Sequence, residues 1–241
     1  MNILLIEKKV NFLSLPVRGE IASHVLGVLN AKQGDQIDVG VQNGPKGKAK
    51  ITQVSRDILY MSIIWSNDHA CDLYPVSLLV GISRPQTCRK ILEQASSLGV
   101  EKINFFLCEK SEPSYLESKL WKSNEWKKKL IKGTEQAFST FLPECQLWSG
   151  LEESISAQMS NSYRFALDNY ESIQTLGDFD HWKAKQHYTI AIGPERGWSN
   201  SERQLMIENE FLLISMGPRV LRQETALVAV LGQVLGQFWK C

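Results

Sequence analysis

A chain of 241 residues with 43% hydrophobic residues can bury a core in one large domain or two modest ones. Its formal net charge of +1 argues against a protein that coats nucleic acid by bulk charge and leaves room for local basic patches. The five cysteines (Cys71, Cys88, Cys108, Cys145 and Cys241) are odd in number, widely spaced and never arranged as CxxC, which argues against a disulfide framework or zinc site and for reduced thiols.

The opening Met1-Asn2-Ile3-Leu4-Leu5-Ile6 run has no basic n-region or small-residue cleavage site, so it does not read as a signal peptide. No apolar stretch is long enough to span a bilayer. A cytoplasmic protein with no membrane partner and no metal is expected. Residues 9–17 are partly alternating and apolar, and residues 22–29 form a short helical pattern. Gly34-Asp35 marks a turn before a strand over 36–41, and Asn43-Gly44-Pro45 is a second turn signal. Strands over 48–54 and 58–65 complete a strand-rich module of residues 1–70, read as a small β-barrel, before a polar linker over 66–72.

From residue 74 the pattern alternates between strand and helix. Strands are expected over 76–82, 102–107, 163–167, 188–192 and 212–216. Helices are expected over 86–98, closed by Gly99, and over 125–141, 200–210 and 224–239. This order predicts an α/β domain over 74–241 with a mainly parallel sheet. No G-x-G-x-x-G follows a predicted strand and no P-loop is present.

In such sheets ligands bind beyond the carboxyl ends of the strands. Two strand ends carry unusual loops, Ile192-Gly193-Pro194-Glu195-Arg196-Gly197-Trp198-Ser199 and Met216-Gly217-Pro218-Arg219-Val220-Leu221-Arg222-Gln223-Glu224-Thr225-Ala226. Each places Gly-Pro directly after an apolar strand and then starts a helix. Ser199 with Glu202 three residues later reads as a capped helix start. A turn needs no charges, yet Arg219, Arg222 and Glu224 crowd into six residues. That density fits a site for an anion or a weakly acidic base, against the plain reading of an ion pair at a helix start.

The pair GPERGWS and MGPRVLRQETA resembles the signature of the RsmE family of 16S ribosomal RNA uridine N3-methyltransferases, usually GPEGGFS and LGPRILRTETA. RPQTCRKILEQASSLGV at 84–100 and HVLGVL with Gly34-Asp35 are also similar to family stretches, so the likeness spans nearly the whole chain. The resemblance implies a SPOUT-type parallel sheet with a C-terminal trefoil knot, preceded by a small PUA-like β-barrel that binds RNA. It implies S-adenosylmethionine as methyl donor, the small ribosomal subunit's 16S RNA as partner, and a homodimer. By the match, Leu167, Asp168, Ile192, Gly193, Gly197, Met216, Gly217, Val220, Leu221, Thr225 and Ala226 would hold the donor; for Ile192, Val220 and Leu221 simple core packing is the alternative.

Uridine N3 is a poor nucleophile while protonated. Arg222 and Arg219 are candidates to stabilise its anion, and Glu195, Asp168 and Glu224 to take its proton or orient an arginine. The chain departs from the family at Arg196, where glycine is usual; a left-handed backbone there would cost arginine about 1–2 kcal/mol, and its side chain would either reach an RNA phosphate or narrow the pocket. Lys46, Lys48 and Lys50 alternate along one strand and share a face, suited to an RNA backbone or to guarding a sheet edge. The lysines at 127–129 and 132 spread round a helix as a solvated face. Two other functions keep the same fold: methylation of another RNA such as transfer RNA, and a non-catalytic RNA-binding ribosome assembly factor.

Overall fold

The computed structural model describes residues 2–67, 69–158, 161–179 and 186–239. It divides into two compact units, Met1–Asp72 with Thr134–Leu142, and Leu73–Gly133 with Pro143–Cys241.

The first unit holds β1 (Leu4–Ile6), β2 (Phe12–Pro16), α1 (Glu20–Ser23), β3 (Gln36–Val41), β4 (Lys46–Val54) and β5 (Ile58–Trp65). They form one mixed sheet in the order β1-β3-β4-β5-β2, parallel between β1 and β3 and antiparallel elsewhere. Period-2 alternation sends Ile37, Val39, Ala49, Ile51, Leu59, Met61 and Ile63 into one core, closed by Ala22 and Val25. Where a plain helix was expected over 22–29, α1 gives way to a π-helical turn, His24–Val28. The turns at Gly34 and Asn43 have left-handed backbones, φ 98° and 55°, as their residue types predict.

The expected helix over 125–141 stops at Gln136. Phe138 turns left-handed at φ 58°, which no helix interior tolerates. Residues on both sides of this break, Thr134–Leu142, belong to the first unit. Glu135 Oε1 accepts from Leu5 N–H at 3.0 Å, and Thr140 Oγ1 donates to the Gly44 carbonyl at 2.6 Å. Burial raises the Glu135 carboxyl above its ordinary range, against the Leu5 hydrogen bond.

The second unit runs β6 (Tyr74–Gly81), α2 (Pro85–Ser97), β7 (Val100–Phe106), α3 (Lys119–Lys122), α4 (Glu125–Gln136), β8 (Glu144–Trp148), α5 (Leu151–Ser156), β9 (Ser162–Leu167), β10 (Gln174–Thr175), β11 (His187–Ile192), α6 (Asn200–Glu208), β12 (Leu212–Ser215) and α7 (Gln223–Leu235). Among the described residues its seven strands are all parallel, in the order β10-β12-β9-β11-β6-β7-β8. Val76, Leu78, Leu79 and Val80 of β6 are wholly buried, as a strand covered on both faces requires. The strands β8 and β10 and the short helices α3 and α5 lie where no element was predicted. β8 is an edge strand, half exposed on both faces, and so carries no alternation to read.

The strand order decides where a ligand can sit. From β6 the chain moves outward through β7 to β8, then returns to build β9, β11 and β12 on the other side. The reversal falls between β6 and β11, which pair directly. Crossover connections leave in opposite directions there and open a crevice at the carboxyl ends of the strands.

Candidate active site

A cleft of about 620 Å³ occupies that crevice. Its walls come from the ends of β9 (Leu167, Asp168), β11 (Ile192, Gly193) and β12 (Met216), and from the start of α7. The two loops singled out in the sequence therefore face one cavity. Several backbone contacts hold them. Trp198 is 1% exposed, donates from Nε1 to the Leu167 carbonyl at 2.9 Å and stacks on Phe106. A Cβ on Gly193 would lie 3.1 Å from the Trp198 ring, so glycine lets the loop close over the indole. Asp168 N–H donates to the Ile214 carbonyl at 2.9 Å, tying the β9 end to β12.

The β11 loop makes a tight turn in which Gly197 N–H donates to the Pro194 carbonyl at 2.9 Å. Gly197 carries the left-handed backbone, φ 67°, and Arg196 does not. The strain considered for Arg196 is thus absent, and its exposed side chain lines the cleft. Ser199 and Glu202 form the predicted reciprocal cap of α6. Glu202, 5% exposed, also accepts from Glu109 N–H at 3.0 Å.

The three candidate acids have different surroundings. Asp168 is held by Arg203, whose Nε donates to Oδ2 at 2.6 Å, and by the Tyr170 and Glu171 N–H groups at 2.6 and 2.8 Å. Burial alone would raise its pKa; the Glu171 N–H, the Arg203 guanidinium and the Tyr170 N–H together pull it below the ordinary aspartate range. Such an acid is a poor proton acceptor. Glu224 pairs with Lys90 at 3.0 Å. Partial burial would raise its carboxyl, and the Lys90 hydrogen bond dominates the interactions that bring it below the ordinary range. Glu195, 40% exposed in its side chain, meets Arg84 Nε at 3.5 Å.

Among the other predicted residues, Gly197, Val220, Leu221, Arg222 and Ala226 line the cleft. Val220 is 82% exposed, so core packing does not account for it, whereas Ile192 is buried and serves both core and cleft. Gly217 shapes the β12 loop through a left-handed φ of 99° without lining the cavity. Thr225 and Arg219 are exposed and lie outside the lining. Neither Arg219 nor Arg222 has an acid within ion-pair distance among the described residues.

Sequence reasoning missed Arg203, Gly81 and Gln223. Arg203 reads locally as a surface residue of α6, and its partner is 35 positions away. A Cβ on Gly81 would lie 2.5 Å from Cys108 Sγ and 2.9 Å from Pro194. Gly81→Ala is therefore expected to cost about 1–3 kcal/mol through overpacking and to push the Pro194 turn into the cleft. Urea unfolding checks the first effect; a variant as stable as the parent would show that the β6 end yields freely.

In the first unit, Lys46, Lys48 and Lys50 do share the outward face of β4, with Ala49 and Ile51 buried on the opposite face. Lys48 is paired with Asp38 at 2.6 Å, and Lys46 sits over the Phe138 ring. On α4, Lys129 and Lys132 both reach Glu93 of α2, in keeping with a structural, solvated face. Among the described residues, no group of His, Cys, Asp or Glu could hold a metal ion, and no helix is long and apolar enough to cross a membrane.

The geometry has counterparts. Residues 71–235 match the model of the RNA methyltransferase domain family. The chain is 33% identical to ribosomal RNA small subunit methyltransferase E of Treponema pallidum, over 100% of this chain and 93% of that protein. It is 30% identical to ribosomal RNA small subunit methyltransferase E 1 of Borreliella burgdorferi, over 95% of each. Among solved structures, a ribosomal RNA small subunit methyltransferase E from Neisseria gonorrhoeae bound to S-adenosyl methionine superimposes with a TM-score of 0.78 at 20% identity, over 98% of this chain and 97% of that one. A putative methyltransferase from Legionella pneumophila, in complex with the same cofactor, gives 0.80 at 23%, over 97% and 96%. At these identities the two structures speak for the shared fold.

Proposed function

Because the chain belongs to the RsmE family of RNA methyltransferases, we propose that it transfers the methyl group of S-adenosylmethionine to N3 of a uridine in 16S ribosomal RNA. The observation that carries this reading is the meeting of the β11 and β12 loops in one cleft at the switch point of the sheet. The C-terminal trefoil knot belongs to the same proposal and rests on the family resemblance.

The residues present suit the donor. Leu167, Ile192, Met216, Leu221 and Ala226 offer apolar walls, and the carboxylates of Glu195 and Glu224, each beside a basic side chain, face the same space. When bound, S-adenosylmethionine supplies a methyl group on positively charged sulfur. The rest is the protein's work. Arg222, exposed and without an acid partner among the described residues, binds the uracil carbonyl oxygens and stabilises the anion formed at N3. Arg219 stands on the same loop to assist. Glu195 is the acid least held by other groups and accepts the N3 proton. Glu224 keeps Lys90 at the cleft wall, and Asp168 positions the β9 end rather than moving a proton. Arg196 contacts an RNA phosphate at the rim, and the Lys46–Lys48–Lys50 face adds backbone contacts elsewhere on the RNA.

The second copy in the proposed homodimer covers the outer face of α7. There Val228 is 41% exposed and a Cβ on Gly232 would meet nothing within 4 Å. The inner residues Leu227, Val230, Leu231, Val234 and Leu235 are wholly buried within the chain and cannot serve. Sedimentation of the purified protein should give twice the chain mass; a monomer at micromolar concentration would remove the dimer. We place the enzyme in the cytoplasm with its substrate.

The test of function is direct. Purified protein is incubated with isotopically labelled donor and either small ribosomal subunits or 16S RNA, and the nucleosides are separated by mass spectrometry. Labelled 3-methyluridine is the expected product. Label in transfer RNA alone would replace the target, and no donor binding by calorimetry at millimolar concentration would overturn the reading altogether.

A further inference from the structure

Gln223 opens α7 between Arg222 and Glu224 and is 6% exposed. Its amide makes three hydrogen bonds to segments far away in the chain. Nε2 donates to the Gly81 carbonyl at 2.8 Å and to the Gly193 carbonyl at 2.8 Å. Oε1 accepts from Ser83 Oγ at 2.6 Å. These partners end β6 and β11, the two strands that flank the switch point. One side chain thus joins the two strand ends and the helix start that surround the cleft.

The chemistry of the three partners selects an amide. Two carbonyl oxygens need two donors, and a hydroxyl that donates needs an acceptor. A primary amide is the neutral side chain that provides both with one planar group. With its oxygen and nitrogen exchanged, Oε1 would face two carbonyl oxygens, so the orientation is set. A carboxylate would leave both carbonyls unpaired and repelled. A threonine, which the family's usual form carries at this point, has one proton to donate and reaches one carbonyl at most.

We propose that Gln223 is a positioning residue of the methyl-transfer site: it locks the ends of β6 and β11 to the start of α7, and so fixes Arg222 and Glu224 relative to the wall that holds the donor. This rests on the functional reading above. Loss of the lock lets α7 shift against the Gly193 loop by a fraction of a turn. Misplacement of reacting groups by about 1 Å costs about 100-fold in rate, and the loosened wall weakens donor binding as well.

The test compares wild type with Gln223→Glu, Gln223→Thr and Ser83→Ala, and measures donor Kd by calorimetry, kcat in single turnover with saturating RNA, and melting temperature. Gln223→Glu, nearly isosteric, should lower kcat per folded molecule about 100-fold and raise donor Kd about tenfold at pH 8. Its donor affinity relative to wild type should recover as pH falls far enough to protonate the introduced acid, which then regains one donor. Gln223→Thr and Ser83→Ala should fall between, each keeping part of the network. A residue that only stabilises the fold would lower the melting temperature and leave Kd and kcat per folded molecule at wild-type values at 20 °C below melting; that result in Gln223→Glu and Gln223→Thr overturns the proposal. The wild-type arm separates the two claims. If wild type itself neither binds donor nor methylates RNA, the functional reading falls; if wild type is active and both variants match it, only the lock falls.

Discussion

Arg222→Ala is expected to lower kcat for methyl transfer by about 100- to 1000-fold, the usual consequence of deleting one donor to a developing anion. Donor affinity and melting temperature should stay close to wild type. Arg222 is the N-cap residue of α7 with an extended backbone, φ −65° and ψ 152°, and its carbonyl accepts from Ala226 N–H at 2.8 Å. The backbone is thus anchored independently of the side chain. The guanidinium is exposed and lines the cleft, while the neighbouring Glu224 is engaged by Lys90. Truncation therefore leaves no buried group without a partner and costs little stability. Arg222→Lys should recover little of the loss, because an ammonium lacks the planar fork that spans two acceptors. Single-turnover transfer with donor already bound separates this effect from binding. Near-normal turnover in Arg222→Ala would remove the residue from the mechanism.

Asp168→Asn has the largest effect expected on stability, about 3–5 kcal/mol, because it strips the partner from a buried charge. The side chains of Arg203 and Asp168 are 6% and 1% exposed. Asparagine keeps an oxygen for the Tyr170 and Glu171 N–H groups and leaves the Arg203 guanidinium uncompensated. Its other contacts, Asn200 Oδ1 at 3.2 Å and Glu171 at 3.7 Å, are longer and do not replace the bond. Replacing both partners, as Asp168→Asn with Arg203→Met, should return much of the loss, since neither side chain then carries a buried charge. Urea unfolding of the four proteins of the cycle measures the coupling; additive effects would show that the pair is not coupled. The pH dependence has a definite sign. The folded pKa of Asp168 lies below the ordinary 3.8. Its contribution to stability is complete above that value and is lost as pH falls through the folded pKa. Wild type should therefore lose its advantage over Asp168→Asn only in strong acid, and the two should be separated by an even gap from pH 5 to 8.

Much of this architecture was readable in the chain. Alternation along Gln36–Val41 and Ile58–Trp65, and the alternation of strand and helix after residue 74, reflect burial on one face or two, which any short window records. Gly-Pro after Ile192 and Met216 marked the cleft, because a backbone that must turn sharply at a strand end leaves a compositional trace. Edge strand β8 and the stop at Gln136 left none. The first buries too little for a pattern, and the second depends on Phe138 adopting a backbone that its residue type does not announce.

Taken alone, the amino-acid order determined the longer strands and helices, where the loops of the cleft fall and which charges stand in them, since each follows from interactions within a few residues. Only the tertiary structure decided how those charges are used. Asp168 is neutralised by Arg203 and Glu224 by Lys90, Arg222 stands clear, and Gln223 closes on Gly81, Ser83 and Gly193 across 30 to 142 positions. Hydrogen bonds and ion pairs act over about 3 Å of space, and which distant residues come that close is set by strand order and packing, which no local pattern contains.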